Sequence, residues 1–396
     1  MAADLTTYDK GLKNVYAPKV VEQLNNRRVL LKRLQRLKEG FDGRKFIIPV
    51  HMQRNEQIAS ITSTGNAIPT AANQEQQGIQ NAEVTPAYII GAIKIQQQLI
   101  DQTKNNTGSF VRAIGSEVKG MAEDLAMDAN RQLFGDGTGS LTACGTTTAS
   151  TSVVVTSTAK LRTGMGIDVI VASSGATGTG ATGRYVSSIT SATVFVISGA
   201  AITTDSTYAV YRAGSRTNDW TGLQSIVKAT GALFALDPAT AGQEAWASTV
   251  FTGVGAVSET NQQKALDAPS ESKYGNGGEA SLIITTYGVR RNFLNYFAGL
   301  RRVVNTVKLE GGFDAIEYNG KPIVVDRDCT AGYEYFLDES HLGVAQVVEP
   351  SWMDEDGHVL KWDPGTLSYK AVFRWFGNLY TDARDSHAVN QGVTES

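Results

Sequence analysis

The chain has 396 residues, of which 41% are apolar and 19% charged, and its formal net charge is -3. That balance excludes a disordered chain and gives no electrostatic case for nucleic-acid binding. No apolar run of about 18 residues occurs, so no helix is expected to cross a membrane. The opening "MAADLTTYDKG" lacks the basic-then-apolar layout of a secretory leader, and synthesis in the cytoplasm is expected. The length exceeds what one core organises, so two or three lobes are expected.

Residues 17–38 read as a helix. Pro18 suits its first turn, Val20, Val21, Leu24, Leu30, Leu31, Leu34 and Leu37 recur at helical spacing, and Gly40 stops it. Its other face is basic, with Lys19, Arg27, Arg28, Lys32, Arg33, Arg36 and Lys38. Such a face is either simply solvated or an arm for acidic partners or a DNA-lined interior.

"RKFIIPVHMQ" (44–53) and "VTPAYIIGAIKIQQQ" (84–98) read as two matching strands around a polar tip of some thirty residues. A long hairpin-like arm of this kind has little core of its own and makes sense lying on a neighbouring subunit. Residues 109–134 give the clearest periodicity. Phe110, Ile114, Val118, Met121, Leu125, Ala129 and Leu133 step by three or four along an amphipathic helix of ~39 Å.

The helix runs into "RQLFGDGTGS" (131–140), three glycines and an aspartate within five positions. A phosphate loop offers backbone N–H groups at a helix start, where the dipole is positive. Here the glycines follow the helix and no G-K-[ST] comes after, so Gly135 is expected as the C-terminal stop.

From 141 to 214 the composition shifts to Thr, Ser, Gly and Val, with short alternating runs at 152–157, 167–172, 184–190, 193–198 and 207–212. This predicts a small all-β module. Gly178, Gly180 and Gly183 match G-x-G-x-x-G, but a strand follows where a dinucleotide site needs a helix.

From 220 the pattern is mixed: a strand at 279–285, a helix at 287–300, a hairpin turning at Asn319-Gly320, and strands at 333–338 and 366–382. The polar tail past 384 is expected to be loose.

No catalytic constellation emerges, and the chain is read as a non-enzyme without cofactors or metals. His51, His341, His358 and His387 fall in unrelated segments. His341, after Asp338 and Glu339, reads as a surface loop histidine rather than as half of an acid–base pair. "MDEDGH" (353–358) lacks the further oxygen ligands of a calcium loop and reads as an exposed acidic turn. Cys144 and Cys329 have no metal-type spacing and are expected as free thiols.

The serial order of these elements resembles the major capsid protein of tailed bacteriophages, of the Hong Kong 97 type. In that family a long spine helix ends in a "GDGTG" type turn with "GL" a few residues on. Here "LFGDGTG" (133–139) finds its "TGLQSI" only at 221–226, so residues 140–219 look like an inserted all-β domain. "GVRRNFLNYFAGLRR" (288–302) and "FDAIEYNGKPIVVDRDC" (313–329) resemble the family's axial domain.

The resemblance implies an α+β capsid fold with an N-terminal arm at 1–39, an extended loop at 40–108, a spine helix at 109–139, an axial domain at 220–350, and C-terminal strands of the peripheral domain with a tail at 351–396. It implies a virion protein that assembles with itself as hexamers and pentamers into an icosahedral shell around double-stranded DNA. A portal and decoration proteins are further partners of such shells. A separate scaffolding protein is expected, because the chain starts almost directly with the arm. Arg27, Arg28, Lys32, Arg33 and Arg36 become candidates for facing scaffold or DNA phosphates. No subunit cross-link is predicted, although Lys45, Lys94 and Lys104 lie in or near the extended loop. An encapsulin-type compartment shares the implied fold, and a Thr/Ser-rich adhesin is the reading that the insert alone would allow.

Overall fold

The computed structural model describes residues 28–37, 44–55, 77–98, 107–272, 278–299, 306–308, 314–354 and 359–396. Arg27 and most of the acidic turn at 353–358 lie outside them. The chain starts with α1 (Leu30–Arg33) and β1 (Gln35–Leu37), then β2 (Phe46–Gln53), β3 (Gly78–Val84), β4 (Ala87–Gln96) and the long α2 (Thr107–Leu133). A β-rich stretch follows, with β5 (Ser140–Ala143), β6 (Thr147–Ser150), β7 (Ser152–Val154), β8 (Gly166–Val171), β9 (Ala181–Ser191), β10 (Val194–Ile197), β11 (Ile202–Thr204) and β12 (Tyr208–Arg212). After it come α3 (Leu223–Ile226), β13 (Thr249–Phe251), α4 (Glu259–Asp267), β14 (Leu282–Thr285) and α5 (Tyr287–Gly299). The last elements are β15 (Thr306–Lys308), β16 (Asp314–Tyr318), β17 (Lys321–Val325), β18 (Tyr333–Leu337), β19 (Leu342–Trp352), β20 (Lys361–Asp363), β21 (Ser368–Thr381) and β22 (Ala388–Gln391).

Two larger sheets form the body. One joins β1, β19, β21 and β20, with β4 along the other side of β21. The other runs β13-β22-β18-β14-β17-β16-β15. The main core lies between the first sheet, α1, the second half of α2 and one face of the second sheet; Leu30, Leu125, Leu133, Trp220, Trp246, Leu282, Tyr335 and Trp375 meet there. A second core under α4 and α5 covers the opposite face through Leu266, Ile283, Val289, Phe293 and Phe336. Alternate residues of β14 thus enter different cores, which is why all four are buried.

Residues 140–212 carry a six-stranded sheet, β5-β12-β8-β9-β10-β7, and the β11-β6 pair. Their core of Leu141, Val153, Leu161, Ile167, Val169, Val186, Phe195, Ile197 and Val210 is a cluster of its own. The chain enters and leaves this unit side by side, since the Thr217 N–H donates to the Thr138 carbonyl at 2.8 Å. Gly178 and Gly183 sit in a turn and the following β9, so the G-x-G-x-x-G match opens no helix.

Three readings of the sequence need correction. The helix expected over 17–38 ends at Arg33 within its described part. Leu34 turns extended (ψ 134°), and Gln35–Leu37 pairs in parallel with Gly343–Ala345. The helical spacing is retained as far as Leu34, but the open edge of β19 offers backbone partners that a further turn of helix would forgo.

The strand at 44–53 pairs with Gly78–Val84 rather than with 84–98. The Thr85-Pro86 step divides the two ladders, because Pro86 has no N–H to donate and holds Thr85 extended. Asn378 fixes the break by donating to the Thr85 carbonyl at 2.8 Å, and β4 continues along β21. The tail past 384 is not loose. Ala388–Asn390 enter the seven-stranded sheet between β13 and β18 and are buried.

Other readings agree with the structure. Asn319 (φ 48°) and Gly320 (φ 77°) make the tight turn between β16 and β17. The helix stops where expected, with the Gly135 N–H on the Gln132 carbonyl, although the left-handed positions are Gly137 and Gly139. Both cysteines are free and buried. Burial pushes the Cys144 thiol up to about 12, so it stays protonated.

Candidate assembly surface

The "GDGTG" turn and the "TGL" segment, some eighty residues apart in sequence, are packed together. Trp220 N–H donates to Gln132 Oε1 at 2.9 Å, Gln224 N–H to the Gly135 carbonyl at 3.2 Å, and Ser225 Oγ to the Asp136 carbonyl at 2.8 Å. A Cβ at Gly222 would stand 2.4 Å from the carbonyl oxygens of both Gln132 and Gly135, so this approach requires glycine. Arg131 is held by Asp128 at 3.0 Å and Asp219 at 2.8 Å across the same junction.

The basic segment is anchored as much as it is displayed. Val29, Leu30, Leu31 and Leu34 are buried, and the Val29 N–H donates to Asp326 at 3.3 Å. Arg33 makes a two-pronged pair with Glu339 at 2.6 and 2.7 Å, a geometry specific to guanidinium and carboxylate. The Arg36 guanidinium lies 5.5 Å from the centre of the Trp375 ring. Arg28 is half-buried and Lys32 exposed. The structure therefore gives Arg33 and Arg36 partners within the chain; the spacing of basic residues carried no sign of these.

The β2–β3 hairpin pairs with no other strand among the described residues. Phe46, Ile48 and Met52 with Ala82 and Val84 turn inward, and the Glu83 N–H reaches the Phe234 carbonyl at 2.7 Å. Its outer face carries Ile47, 53% exposed, and Ile79, 63% exposed. The register sets Ile47 opposite Glu83 and His51 opposite Ile79, all on that outer face. The neighbouring five-stranded sheet shows the same habit, with Tyr88 and Ile90 on the outward side of β4. Tyr88 stacks on Phe376 with ring centres 3.6 Å apart and planes within 4°.

Among the described residues the histidines stand apart from one another in function. The His341 ring bonds Asp382 at 2.8 Å rather than the side chain of Asp338 or Glu339. His387 is wholly buried, and burial lowers its pKa to about 4, so it is a neutral core histidine. No cluster of three metal-ligating side chains occurs among the described residues, and none of their helices is long and apolar enough to cross a membrane.

Sequence reading missed two buried polar nodes. Arg384 donates to the carbonyls of Ser225, Ile226, Gly231 and Trp246 at 2.8–3.1 Å, tying the C-terminal segment to 225–246. Glu334 accepts from Gln262 at 2.6 Å and Asn390 at 3.2 Å, and burial raises its pKa to about 7. A charged residue in a polar tail or a strand carries no local sign of such a role.

No family model matches the sequence, and no curated protein matches it. Solved structures do match it across its length. A chain of the cyanophage A-1(L) capsid asymmetric unit is 15% identical with a TM-score of 0.63, covering 99% of this chain and 100% of that one. A chain from the capsid of a native gene transfer agent particle is 9% identical with a TM-score of 0.51, covering 100% of both. A chain from Mycobacterium phage Bobi has the same identity, TM-score and coverage. The chain has the α+β fold of the phage major capsid proteins.

Proposed function

We propose that the chain is the major capsid protein of a tailed phage, assembling as hexamers and pentamers into the icosahedral shell that encloses double-stranded DNA. The observation that carries this reading is the β2–β3 hairpin, held at one face and presenting Ile47 and Ile79 on the other, in a chain with the capsid fold. A two-stranded ribbon is marginal alone and gains its buried area by lying on a neighbour.

In this reading residues 1–39 are the N-terminal arm, 40–108 the extended loop, 109–139 the spine helix, 140–219 an inserted domain, 220–350 the axial domain and 351–396 the closing strands and tail. The separate sheet and core of 140–212 support the fourth of these assignments. A scaffolding protein, a portal, decoration proteins and packaged DNA are the corresponding partners, with Arg27, Arg28, Lys32, Arg33 and Arg36 of the basic segment as the residues to meet them.

Sedimentation velocity of the purified chain, with and without the products of neighbouring genes, tests the proposal. Capsomers or closed shells in electron micrographs of the fast fraction are expected. A monomer under every condition would overturn it.

A further inference from the structure

A cleft of about 120 Å³ lies where three distant segments meet: the last turns of α2, the 159–165 loop with Arg212 of the small β unit, and the loop after β17. Five cations line it, Arg131, Lys160, Arg162, Arg212 and Arg327, against the carboxylates Asp128 and Asp328. Those two carboxylates are already engaged. Asp128 takes Arg131 at 3.0 Å and Gln132 at 3.0 Å, and Asp328 takes Asn130 at 2.8 Å.

Arg212 approaches Asp128 only at 3.8 Å, and its Nε is buried without a hydrogen-bond partner. Among the described residues the side chains of Lys160 and Arg162 have no hydrogen bond or ion pair, the Arg162 carbonyl alone accepting from the Met165 N–H at 3.1 Å. Burial, and then the adjacent Arg131, lower the Lys160 pKa against the opposing pull of Asp328, Asp136 and Asp219. Met127, Met165 and Ala159 close the cleft with apolar walls. The cleft lies beside the helix rather than at its carbonyl end, because its helical lining is Met127, Asp128 and Arg131, one face of the last turns.

We propose that this cleft binds a small oxyanion of the phosphate class, which joins the β unit to α2 and to the loop after β17. Unpaired ammonium and guanidinium donors converging on a small partly dry space suit an anion of several oxygens better than chloride. The volume suits a free ion and is too small for a polymer backbone. The inference is independent of shell formation, since it is read on the unassembled chain.

The test is calorimetric titration of inorganic phosphate into the purified chain, with chloride at matched ionic strength as the reference. Thermal unfolding is followed in both salts. One saturable site is expected, with a higher unfolding midpoint in phosphate. Lys160→Met and Arg162→Gln should each weaken binding by about tenfold, the loss of one charge-assisted bond. Lys228→Met, at an exposed position elsewhere, should leave binding unchanged. Equal behaviour of the wild-type chain in phosphate and chloride would overturn the proposal without recourse to any variant. So would unaltered affinity in the double variant.

Discussion

The β unit of 140–212 and the body around it are built on opposite plans. The unit closes its sheet and core from one contiguous stretch, and its two ends meet at the Thr217–Thr138 hydrogen bond. The body is interleaved. Its first sheet takes residues from 35–37, 87–96 and 342–381, and its second joins 249–251 to 388–391 across the whole intervening chain. A contiguous unit loses little when its surroundings fail, whereas an interleaved body fails when any one of its segments is withdrawn. The difference also bears on folding, since the body's pairings span hundreds of residues and the unit's span tens.

The largest expected effect is on the interleaved side. Arg384→Met removes a donor from the carbonyls of Ser225, Ile226, Gly231 and Trp246 while leaving an apolar stem of similar length. Ile226 keeps the Lys228 N–H and Ser248 Oγ as donors; with the other three acceptors orphaned at about 1–3 kcal/mol each, a loss of about 4 kcal/mol or more is expected. Hydrogen exchange should show the body opening while Val169, Val186 and Phe195 keep their protection. Simultaneous loss of protection in both would break the comparison.

The converse change is Phe195→Ala, which empties the centre of the β unit's core. It should cost about 3–5 kcal/mol, confined to residues 140–212. A denaturant titration should then separate an early transition of the unit from a later one of the body. One shared transition at a lowered midpoint would mean that the two cores are coupled through the junction at Arg131, Asp128 and Asp219.

How legible this division was in the sequence follows from the same contrast. The β unit announced itself by a composition break and by alternating runs, since contiguous structure leaves contiguous signals. The turn at Asn319-Gly320 and the α2 stripe were legible for that reason too. The polar tail was misread because burial of Arg384, Ser386, His387 and Asn390 is decided by partners at 225–246, 262 and 334–338. Of the candidate surface, the basic residues were visible, but the Arg33–Glu339 pair joins positions 306 residues apart and has no local sign.

Glu334 sharpens the comparison by pH. Its folded pKa of about 7 stands above the ordinary 4.5 because burial disfavours the carboxylate. Neutral Glu334 is thus favoured by folding. Its contribution is complete below pH 4.5, is lost as pH rises toward 7, and stays absent above. The loss amounts to about 3 kcal/mol, and Glu334→Gln should recover it at pH 8 while changing little at pH 4. The effect should appear in the body's transition only. A pH-independent difference between variant and wild type would remove Glu334 as its source.

The smallest effect on the isolated chain is expected at the hairpin, which belongs to neither plan. Ile47→Ser and Ile79→Ser alter side chains that are more than half exposed, so stability should change by less than about 0.5 kcal/mol. Both lie on the outer face of a ribbon whose inner face is already packed, so whatever they bury must come from another subunit. Sedimentation of the double variant should therefore show a folded chain that forms few or no shells. Normal shells would mean that assembly uses other surfaces, with Tyr88 and Ile90 on the adjoining sheet next in order. An unfolded chain would mean that the outer face is already covered within the subunit, and the hairpin would then rejoin the interleaved body.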